Sequence, residues 1–400
     1  MAATKNPKSP TLYPLALYLH VPFCARHCPY CDFNVVVERA GSALVPETVE
    51  AIRRDIAQSA IAVNESGSRR VETVFFGGGT PTLLSGGDLR AILQTVRESF
   101  ELAPDAEISS EANPGSSDAG KFAEMRAAGF NRLSVGVQAF DDDLLARLER
   151  LHSAAEAEAA IATARAAGFA NVSMDLMFGL PGQSLAAWRR SLDRALACGI
   201  EHLSLYALTL EPGTRFERLH RGGKLELPDE ESELAMYEEA IARLSTAGYE
   251  HYEVSNFARP GFRSRHNQVY WRNGEYLGVG PGAVSYLEGR RWKREPLPRR
   301  YIAKLAAGAD LAVESERLDA AGALGETMIL GLRMREGVSL AEVGARFGVE
   351  IGQRYAAQIA DLSNRGLVAV EGERLRLTDA GLRIANTALA EFLPEGTLDR

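Results

Sequence analysis

Hydrophobic and polar positions follow a repeating pattern through the first half of the chain. Short runs rich in β-branched and aromatic residues alternate with longer stretches of helical periodicity. The short runs predict six strands, at residues 15–21, 73–78, 107–113, 132–138, 171–179 and 202–209. The intervening stretches predict helices at 47–63, 87–100, 117–128, 153–167 and 184–198. Six strand-then-helix units predict an α/β fold with a parallel sheet whose strands are buried on both faces.

The pattern changes after about residue 215. A helical stretch at 229–247 is followed by a segment rich in glycine and aromatic residues, and then by a basic stretch at 289–300 that we expect to be a loop. From about residue 316 the order helix, helix, turn, helix and two short strands predicts a winged-helix-like α+β module. The predicted organisation is a flexible N-terminus (1–14), a barrel domain (15–215), an extension (216–315) and this module (316–400).

Composition and charge narrow the class of protein. The 400 residues are 46% hydrophobic and 24% charged with a net charge of −8, which is ordinary for a globular protein and disfavours a polyanion-binding one. Residues 318–400 hold 9 Arg, no Lys and 12 Asp or Glu, so we expect the module to pack or cover rather than bind DNA. The first fourteen residues lack the apolar core of a signal peptide, and no run of 18 apolar residues occurs. We therefore expect a cytoplasmic protein with at most peripheral membrane contact.

Three of the four cysteines lie within eight residues, as Cys24, Cys28 and Cys31. In a reducing compartment, clustered thiols indicate metal binding or redox chemistry rather than disulfides. Three thiolates on one loop can ligate three irons of a [4Fe–4S] cluster, which leaves the fourth iron open to chelate S-adenosylmethionine. The alternatives are zinc with His20 or His27 as fourth ligand, and thiols without a metal. The remaining cysteine, which precedes Gly199, is predicted to be a small buried hydrophobe.

Several polar or glycine-rich segments follow predicted strands. Residues 77–80 read Gly-Gly-Gly-Thr, which matches neither a Walker loop nor G-x-G-x-x-G, so nucleotide phosphates are disfavoured. Glu111, Gln138 and Asp175 lie near strand ends, and Arg150 lies beyond one. Barrels of parallel strands carry function at the carboxyl ends of those strands. Each of these four residues alone is as compatible with a structural hydrogen bond as with ligand contact.

The spacing C-x3-C-x-aromatic-C directly after the first strand, with Tyr30 as the aromatic residue, resembles the signature of the radical SAM superfamily. The segments SSEANPG, SVGVQAF, LERLH and MDLMFGLPGQ resemble one branch of it, which contains oxygen-independent coproporphyrinogen III dehydrogenases and heme chaperones. The resemblance runs from about residue 15 nearly to the end. It implies a partial TIM-like (β/α)6 barrel and a [4Fe–4S] cluster on the three cysteines. It also implies that S-adenosylmethionine contacts Tyr18, Tyr30, Gly78, Gly79, Thr80, Glu111, Gln138, Arg150, Asp175 and Thr209.

Three features favour the chaperones of that branch over the dehydrogenases. The dehydrogenases typically carry a fourth cysteine where this chain has Phe33, and a longer segment before the first strand. The motif HNQVYW, residues 266–271, is typical of the chaperones, and an imidazole such as that of His266 is a good axial ligand for heme iron. Without the resemblance, a histidine bonded to backbone with Tyr270 and Trp271 in the core is the simpler interpretation.

The sequence therefore predicts a radical-SAM-type heme chaperone that holds a [4Fe–4S] cluster, S-adenosylmethionine and heme, with His266 in contact with the heme. Its expected partners are a heme acceptor protein and an electron donor, and nucleic acid is not expected. Whether the scaffold is also an enzyme stays open. The alternatives are the dehydrogenase itself and a DNA-binding regulator acting through the winged-helix-like module. A further hypothesis pairs the heme propionates with four basic residues, Arg290, Arg291, Lys293 and Arg294.

Overall fold

The computed structural model describes residues 15–38, 41–65 and 69–394, so the predicted flexible N-terminus lies outside the described residues. Its centre is a parallel run of six strands, which pair in sequence order. The strands are β1 (Leu15–Val21), β2 (Arg70–Gly78), β3 (Glu101–Ala112), β4 (Arg132–Gln138), β5 (Val172–Phe178) and β6 (His202–Ala207). The prediction of six parallel β/α strands is confirmed.

Helices alternate with these strands. They are α1 (Leu44–Glu65), α2 (Gly86–Ser99), α3 (Ala119–Ala128), α4 (Asp142–Arg147), α5 (Ala154–Ala166) and α6 (Leu185–Ala197). Capping boxes begin α2 at Ser85 and α5 at Ser153, as their Ser-x-x-acid sequences dictate. Gly129, with φ +103°, adopts the left-handed conformation that ends α3.

The six strands alternate between an apolar and a polar face. On β1, Leu15, Leu17 and Leu19 are fully buried in the core, where the helices pack on the sheet. Tyr18 faces the opposite side, where the strands enclose a lumen. The period of two along a strand places every second residue on the same face. The core therefore lies between strands and helices, while polar residues line the interior of the barrel.

The segment after residue 215 extends the same sheet at both edges. On the β6 side it adds β7 (Glu250–Glu253) and β8 (Asn256–Ala258), and on the β1 side it adds β9 (Tyr276–Val279), β10 (Val284–Leu287), β11 (Arg290–Arg294) and β12 (Ala312–Arg317). The result is a 12-stranded sheet in the order β12-β11-β10-β9-β1-β2-β3-β4-β5-β6-β8-β7. Only β9 pairs in parallel, with β1, and the other added strands are antiparallel. The helices of this segment are α7 (Arg215–Arg221), α8 (Glu230–Thr246), α9 (Arg265–Trp271) and α10 (Pro298–Ala306).

The prediction of a basic loop at 289–300 is wrong, because four of its basic residues lie in strand β11, where neighbouring groups hold them, and the other two lie in α10. Arg291 contacts Glu316 and Glu326, and Arg294 is 7% exposed and paired with Asp55 at 3.1 Å. Lys293 pairs with Glu314, and Arg290 bonds Ser315 and lies over Trp292. Cross-strand pairing of opposite charges stabilises the sheet edge and occupies the cations. The hypothesis that these four residues bind heme propionates therefore loses its basis.

The C-terminal part confirms the winged-helix-like prediction. It contains α11 (Ala320–Gly331), α12 (Leu340–Phe347), α13 (Ile351–Arg354), α14 (Ala356–Asn364), α15 (Asp379–Arg383) and α16 (Ala385–Ala390). A three-stranded sheet joins β13 (Val338–Ser339) to the wing formed by β14 (Val368–Glu371) and β15 (Arg374–Leu377). This module has its own hydrophobic cluster. No helix in the described part of the chain is long and apolar enough to cross a membrane.

Candidate functional site

The three clustered cysteines lie on a loop at the carboxyl end of β1. Cys24, Cys28 and Cys31 are all half-buried free thiols. The amide of Cys31 donates to the carbonyl of Cys28 at 3.2 Å, and Cys24 Sγ lies 3.6 Å from the hydroxyl of Thr80, which follows β2. Burial raises the pKa of Cys24, and it raises the pKa of Cys31 to about 11. Such thiols stay protonated at neutral pH unless a metal centre ionises them.

A glycine turn at the end of β2 lies directly against this loop. The amides of Gly79 and Thr80 donate to the carbonyls of Val21 and Phe23 at 2.8 and 2.7 Å. A Cβ on Gly79 would lie 2.5 Å from the carbonyl oxygen of Phe23, so only glycine allows this approach. The glycines thus fix the position of the cysteine loop relative to the barrel.

Gly78 has φ +107° and lies over the imidazole of His20. That ring bonds the hydroxyl of Tyr18 at 3.1 Å and the carbonyl of Asn34 at 2.9 Å. The amide of Gly78 donates to Glu111 Oε2 at 3.1 Å. Burial, followed by the charge of Asp175, raises the pKa of Glu111 to about 8, so this carboxyl is largely protonated at neutral pH.

Arg150 connects the cysteine loop to the end of β4. Its Nη1 lies 3.7 Å from Cys28 Sγ, and its Nη2 donates to the carbonyl of Gly136 at 2.8 Å. Gln138, at a bulge beside β5, has φ +68°, an uncommon backbone conformation for a residue other than glycine. Tyr30 lies close enough to Cys28 and Arg150 for both charges to affect its pKa, which burial raises. The structure therefore brings together four of the predicted residues at the carboxyl end of the barrel, namely Cys28, Tyr30, Gln138 and Arg150.

Two predicted contacts for S-adenosylmethionine lie apart from that group. Asp175 is in the middle of β5, where Ser134 donates to it at 3.0 Å and Ser204 also bonds its side chain. Burial is the largest influence on Asp175 and raises its pKa. Thr209 follows β6 and is exposed. Asp175 faces the lumen below the cysteine loop, whereas Thr209 lies at the rim.

The lumen contains a cavity of about 200 Å³. Its walls come from all six strands β1 to β6 and from helix α9, which carries the HNQVYW motif. The lining side chains are Tyr18, Phe75, Glu111, Arg132, Ser134, Asp175, Ser204, Tyr206, His266, Asn267 and Tyr270. Three of the predicted cofactor contacts and the predicted heme contact therefore share one cavity.

His266 lines this cavity and is 1% exposed. Its Nδ1 bonds the hydroxyl of Thr73 at 2.8 Å, its Nε2 bonds the hydroxyl of Tyr270 at 2.9 Å, and its ring stacks on Phe75 with centroids 5.1 Å apart. Glu107 accepts from its backbone amide at 3.0 Å. Burial lowers the pKa of His266 to about 3, so the ring is neutral, but both of its nitrogens are engaged.

The geometry disfavours the zinc alternative. Both ring nitrogens of His20 are bonded, and Nε2 of His27 lies 3.0 Å from the carbonyl of Cys31. Across the described ranges, no group of three or more His, Cys, Asp or Glu side chains is arranged to hold a single metal ion. Cys198, the cysteine outside the loop, is half-buried and packs against the core, and burial raises its pKa.

Sequence reasoning missed the polar residues deeper in the lumen. Arg132, at the start of β4, is 2% exposed and lines the cavity with Ser134 on the same strand face. On β6, Ser204 and Tyr206 do the same. The signal that could have found them is the period of two within RLSVGVQ and HLSLYA, where every second residue is polar or small.

Two family comparisons cover most of the chain. Residues 18–195 match the radical SAM superfamily, and residues 318–384 match the HemN C-terminal domain. Among solved structures, the coproporphyrinogen III oxidase HemN from Escherichia coli is similar with a TM-score of 0.82 and 24% identity, over 96% of this chain and 91% of that one. At that identity the likeness establishes the fold alone.

Curated relatives are similar over nearly their full length. The heme chaperone HemW of Mycobacterium tuberculosis (strain H37Rv) is 42% identical over 95% of this chain and 95% of its own. The heme chaperone HemW of Bacillus subtilis is 36% identical over 94% of this chain and 99% of its own. Radical S-adenosyl methionine domain-containing protein 1, mitochondrial, from Bos taurus is 36% identical over 98% of this chain and 90% of its own.

Proposed function

The chain belongs to the HemW family of the radical SAM superfamily, and from this we propose that it is a heme chaperone that binds heme and passes it to an acceptor protein. The observation that carries the proposal is the 42% identity with a heme chaperone over 95% of both chains. The likeness to the oxidase is lower in identity, and Phe33 and HNQVYW agree with the chaperones.

We propose that Cys24, Cys28 and Cys31 hold a [4Fe–4S] cluster. Three free, half-buried thiols on one short loop supply the donor set, and the Arg150 guanidinium beside Cys28 offsets the negative charge of a thiolate-bound cluster. A bound cluster would supply one-electron chemistry and an open iron for chelation. The loop is anchored beside β2 through the contact of Cys24 with Thr80, and its three cysteines are half-buried.

The surrounding residues are the proposed contacts for S-adenosylmethionine. Gly78 and Gly79 lie at the loop, packed closely against His20 and the backbone of Phe23, and their contact with the ligand is proposed from the resemblance. The protonated carboxyl of Glu111 and the Arg150 guanidinium can both donate hydrogen bonds to a ligand. The remaining contacts are proposed from the resemblance alone, at Tyr18, Tyr30, Thr80, Gln138, Asp175 and Thr209.

His266 is the proposed heme contact. Its neutral ring is the form that binds iron, since a protonated imidazole has no free lone pair. In the structure Thr73 and Tyr270 occupy its two nitrogens, and Glu107 holds the start of α9 through the amides of Arg265 and His266. Iron binding therefore requires the Tyr270 or Thr73 bond to break. The acceptor protein and an electron donor for the cluster complete the proposed partners.

A turnover assay separates the chaperone from its enzymatic alternative. The protein with a reconstituted cluster is incubated anaerobically with S-adenosylmethionine, a reductant and coproporphyrinogen III, and the products are separated by chromatography. We expect no decarboxylated product, because Phe33 and the sequence identity both point away from the dehydrogenase. Conversion of propionates to vinyl groups at a catalytic rate would replace the chaperone proposal with the dehydrogenase.

A further inference from the structure

Two buried polar side chains of the barrel lumen lack partners. Arg132 is 2% exposed and lines the cavity, yet its Nε has no hydrogen-bond partner and its guanidinium forms no ion pair with any described residue. Its register partner on β3 is Ser109, which is fully buried and whose hydroxyl is also unpaired. By strand alternation Ser109 faces the same side as Glu111, another lining residue. Because unpaired buried polar groups are costly, two of them side by side indicate a place for a polar ligand.

A carboxylate faces the same cavity without pairing with that guanidinium. Asp175 lines the cavity from β5, where Ser134 donates to it at 3.0 Å and Ser204 also bonds its side chain. Ser134 lies two residues after Arg132 on the same face of β4, about 7 Å farther along the strand. Asp175 is near enough to feel the charge of Arg132, although the two form no ion pair. Two opposite charges are therefore presented to one small space about one side-chain step apart.

We propose that the lumen binds a small α-amino acid as its zwitterion, with the carboxylate on Arg132 and Ser109 and the ammonium on Asp175. A planar guanidinium matches a carboxylate through two parallel hydrogen bonds, and an ammonium has three donors for a carboxylate. Such a ligand compensates both charges of the lumen at once. A simple anion would leave Asp175 uncompensated, and a simple cation would leave Arg132 uncompensated. The inference is independent of the proposed heme function.

The size of the cavity limits the ligand to a small molecule. Its volume of about 200 Å³ corresponds to the liquid volume of about six or seven waters, and small amino acids such as alanine and serine have about that number of non-hydrogen atoms. A porphyrin or a whole S-adenosylmethionine is too large for this space. Tyr206 lines the cavity and is 42% exposed, so the cavity has a side that meets solvent, where a small solute can enter.

The position of Arg132 separates this site from the proposed S-adenosylmethionine contacts. Arg132 is the first residue of β4, and Gln138 is the last, at the end of the barrel that carries the cysteine loop. The rise along a strand puts their Cα atoms about 20 Å apart, which is more than an arginine side chain spans. An amino-acid group chelated at the cysteine loop therefore cannot have its carboxylate on Arg132 at the same time.

The test is a calorimetric titration of the cluster-loaded protein with L-alanine and with two counterparts of similar size that carry a single charge. Propionate lacks the ammonium group, and ethylamine lacks the carboxylate. We expect L-alanine to bind about tenfold more tightly than either counterpart, because each missing group forfeits charge-assisted hydrogen bonds. Propionate that binds as tightly as L-alanine, or no saturable binding of L-alanine, would overturn the zwitterion site.

Variants divide the site into its two halves. Arg132→Met should weaken the binding of L-alanine and propionate about tenfold and leave ethylamine unchanged, and Arg132→Lys should keep part of the affinity. Asp175→Asn should weaken L-alanine and ethylamine and leave propionate unchanged. If the methionine variant does not fold, Ser109→Ala should still weaken L-alanine about threefold. An equal loss for all three ligands in Arg132→Met would assign Arg132 a structural role and overturn the proposal.

A last arm repeats the L-alanine titration with S-adenosylmethionine at saturation. An unchanged affinity for L-alanine would support a site separate from that cofactor. Competitive displacement would assign the lumen to the amino-acid end of S-adenosylmethionine and overturn the separate site. Hemin binding by the original protein is measured in parallel, so that a failure of the amino-acid site is distinguished from a failure of the proposed heme function.

Discussion

Replacing Gly78 with alanine should destabilise the barrel and disturb the cysteine loop together. An alanine Cβ would lie 2.4 Å from Cε1 and 2.5 Å from Nδ1 of the His20 imidazole, so the ring must move. That ring holds Tyr18 and the carbonyl of Asn34, and Asn34 in turn donates to the carbonyls of Pro281 and Pro296. The substitution therefore reaches the segment that follows Cys31.

The magnitude follows from two contributions. The positive φ of +107° costs an alanine about 1 kcal/mol. Displacing the buried His20 ring weakens two hydrogen bonds, at about 1 kcal/mol each. We expect a total loss of about 3 kcal/mol. Gly213 is the matched control, because its φ is +82° and nothing lies within 4 Å of an added Cβ. Gly213→Ala should cost the backbone contribution alone.

The assay is thermal unfolding of both variants beside the original protein, with calorimetric binding of S-adenosylmethionine as a second readout. Because the entropy of unfolding of 400 residues is about 0.8 kcal/mol/K, the extra loss of about 2 kcal/mol predicts a midpoint for Gly78→Ala about 2–3 °C below that of Gly213→Ala. We also expect weaker S-adenosylmethionine binding in Gly78→Ala alone. Equal midpoints for the two variants would refute the reasoning that the His20 ring is fixed.

Three further predictions concern the cluster, the heme contact and pH. Cys31→Ser should abolish cluster absorbance and any S-adenosylmethionine cleavage, whereas Cys198→Ser should leave both unchanged; cleavage in the Cys31 variant would contradict the ligand assignment. Tyr270→Phe removes the bond to Nε2 of His266 and should tighten hemin binding severalfold in a Soret titration; unchanged or weaker binding would contradict iron ligation by that nitrogen. The folded-state pKa of Glu111, raised to about 8, means that its contribution to stability is present below pH 4.5 and is lost as pH rises to 8. In Glu111→Gln the free energy of unfolding should therefore fall less steeply as pH rises, by up to about 1.4 kcal/mol per pH unit. Urea unfolding of both proteins at pH 5.5 and 8 measures this slope, and an equal slope in the two proteins would contradict the raised pKa.

The barrel could be predicted because its strands bury one face completely. Leu15, Leu17 and Leu19 pack under helices. Local sequence marks the boundaries of such helices, because a Ser-x-x-acid capping box begins α2 and a glycine ends α3. That the three clustered cysteines share one loop could be predicted from their spacing, and their role as cluster ligands stays a prediction. The added strands at both sheet edges could not, because β11 consists of basic residues that become a strand only through cross-strand acids such as Glu316.

The residues of the lumen are a second feature that could not be predicted from the sequence. Burial normally indicates apolar side chains, yet Arg132 and His266 are buried because they point into the barrel interior and not into the core. HNQVYW identifies a chaperone-like segment, but nothing local shows that it forms a helix against the strand residues Thr73 and Glu107. Thr73 and Glu107 lie 193 and 159 residues before His266 in the chain, so both contacts depend on tertiary structure.

The most direct measurement is an anaerobic hemin titration of the cluster-loaded protein, followed by Soret absorbance beside His266→Ala. The account predicts saturation near one heme per chain in the original protein and weakened binding in the variant. Saturable binding that is identical in both proteins would contradict the heme contact at His266. The absence of specific binding in either protein would contradict the heme chaperone itself.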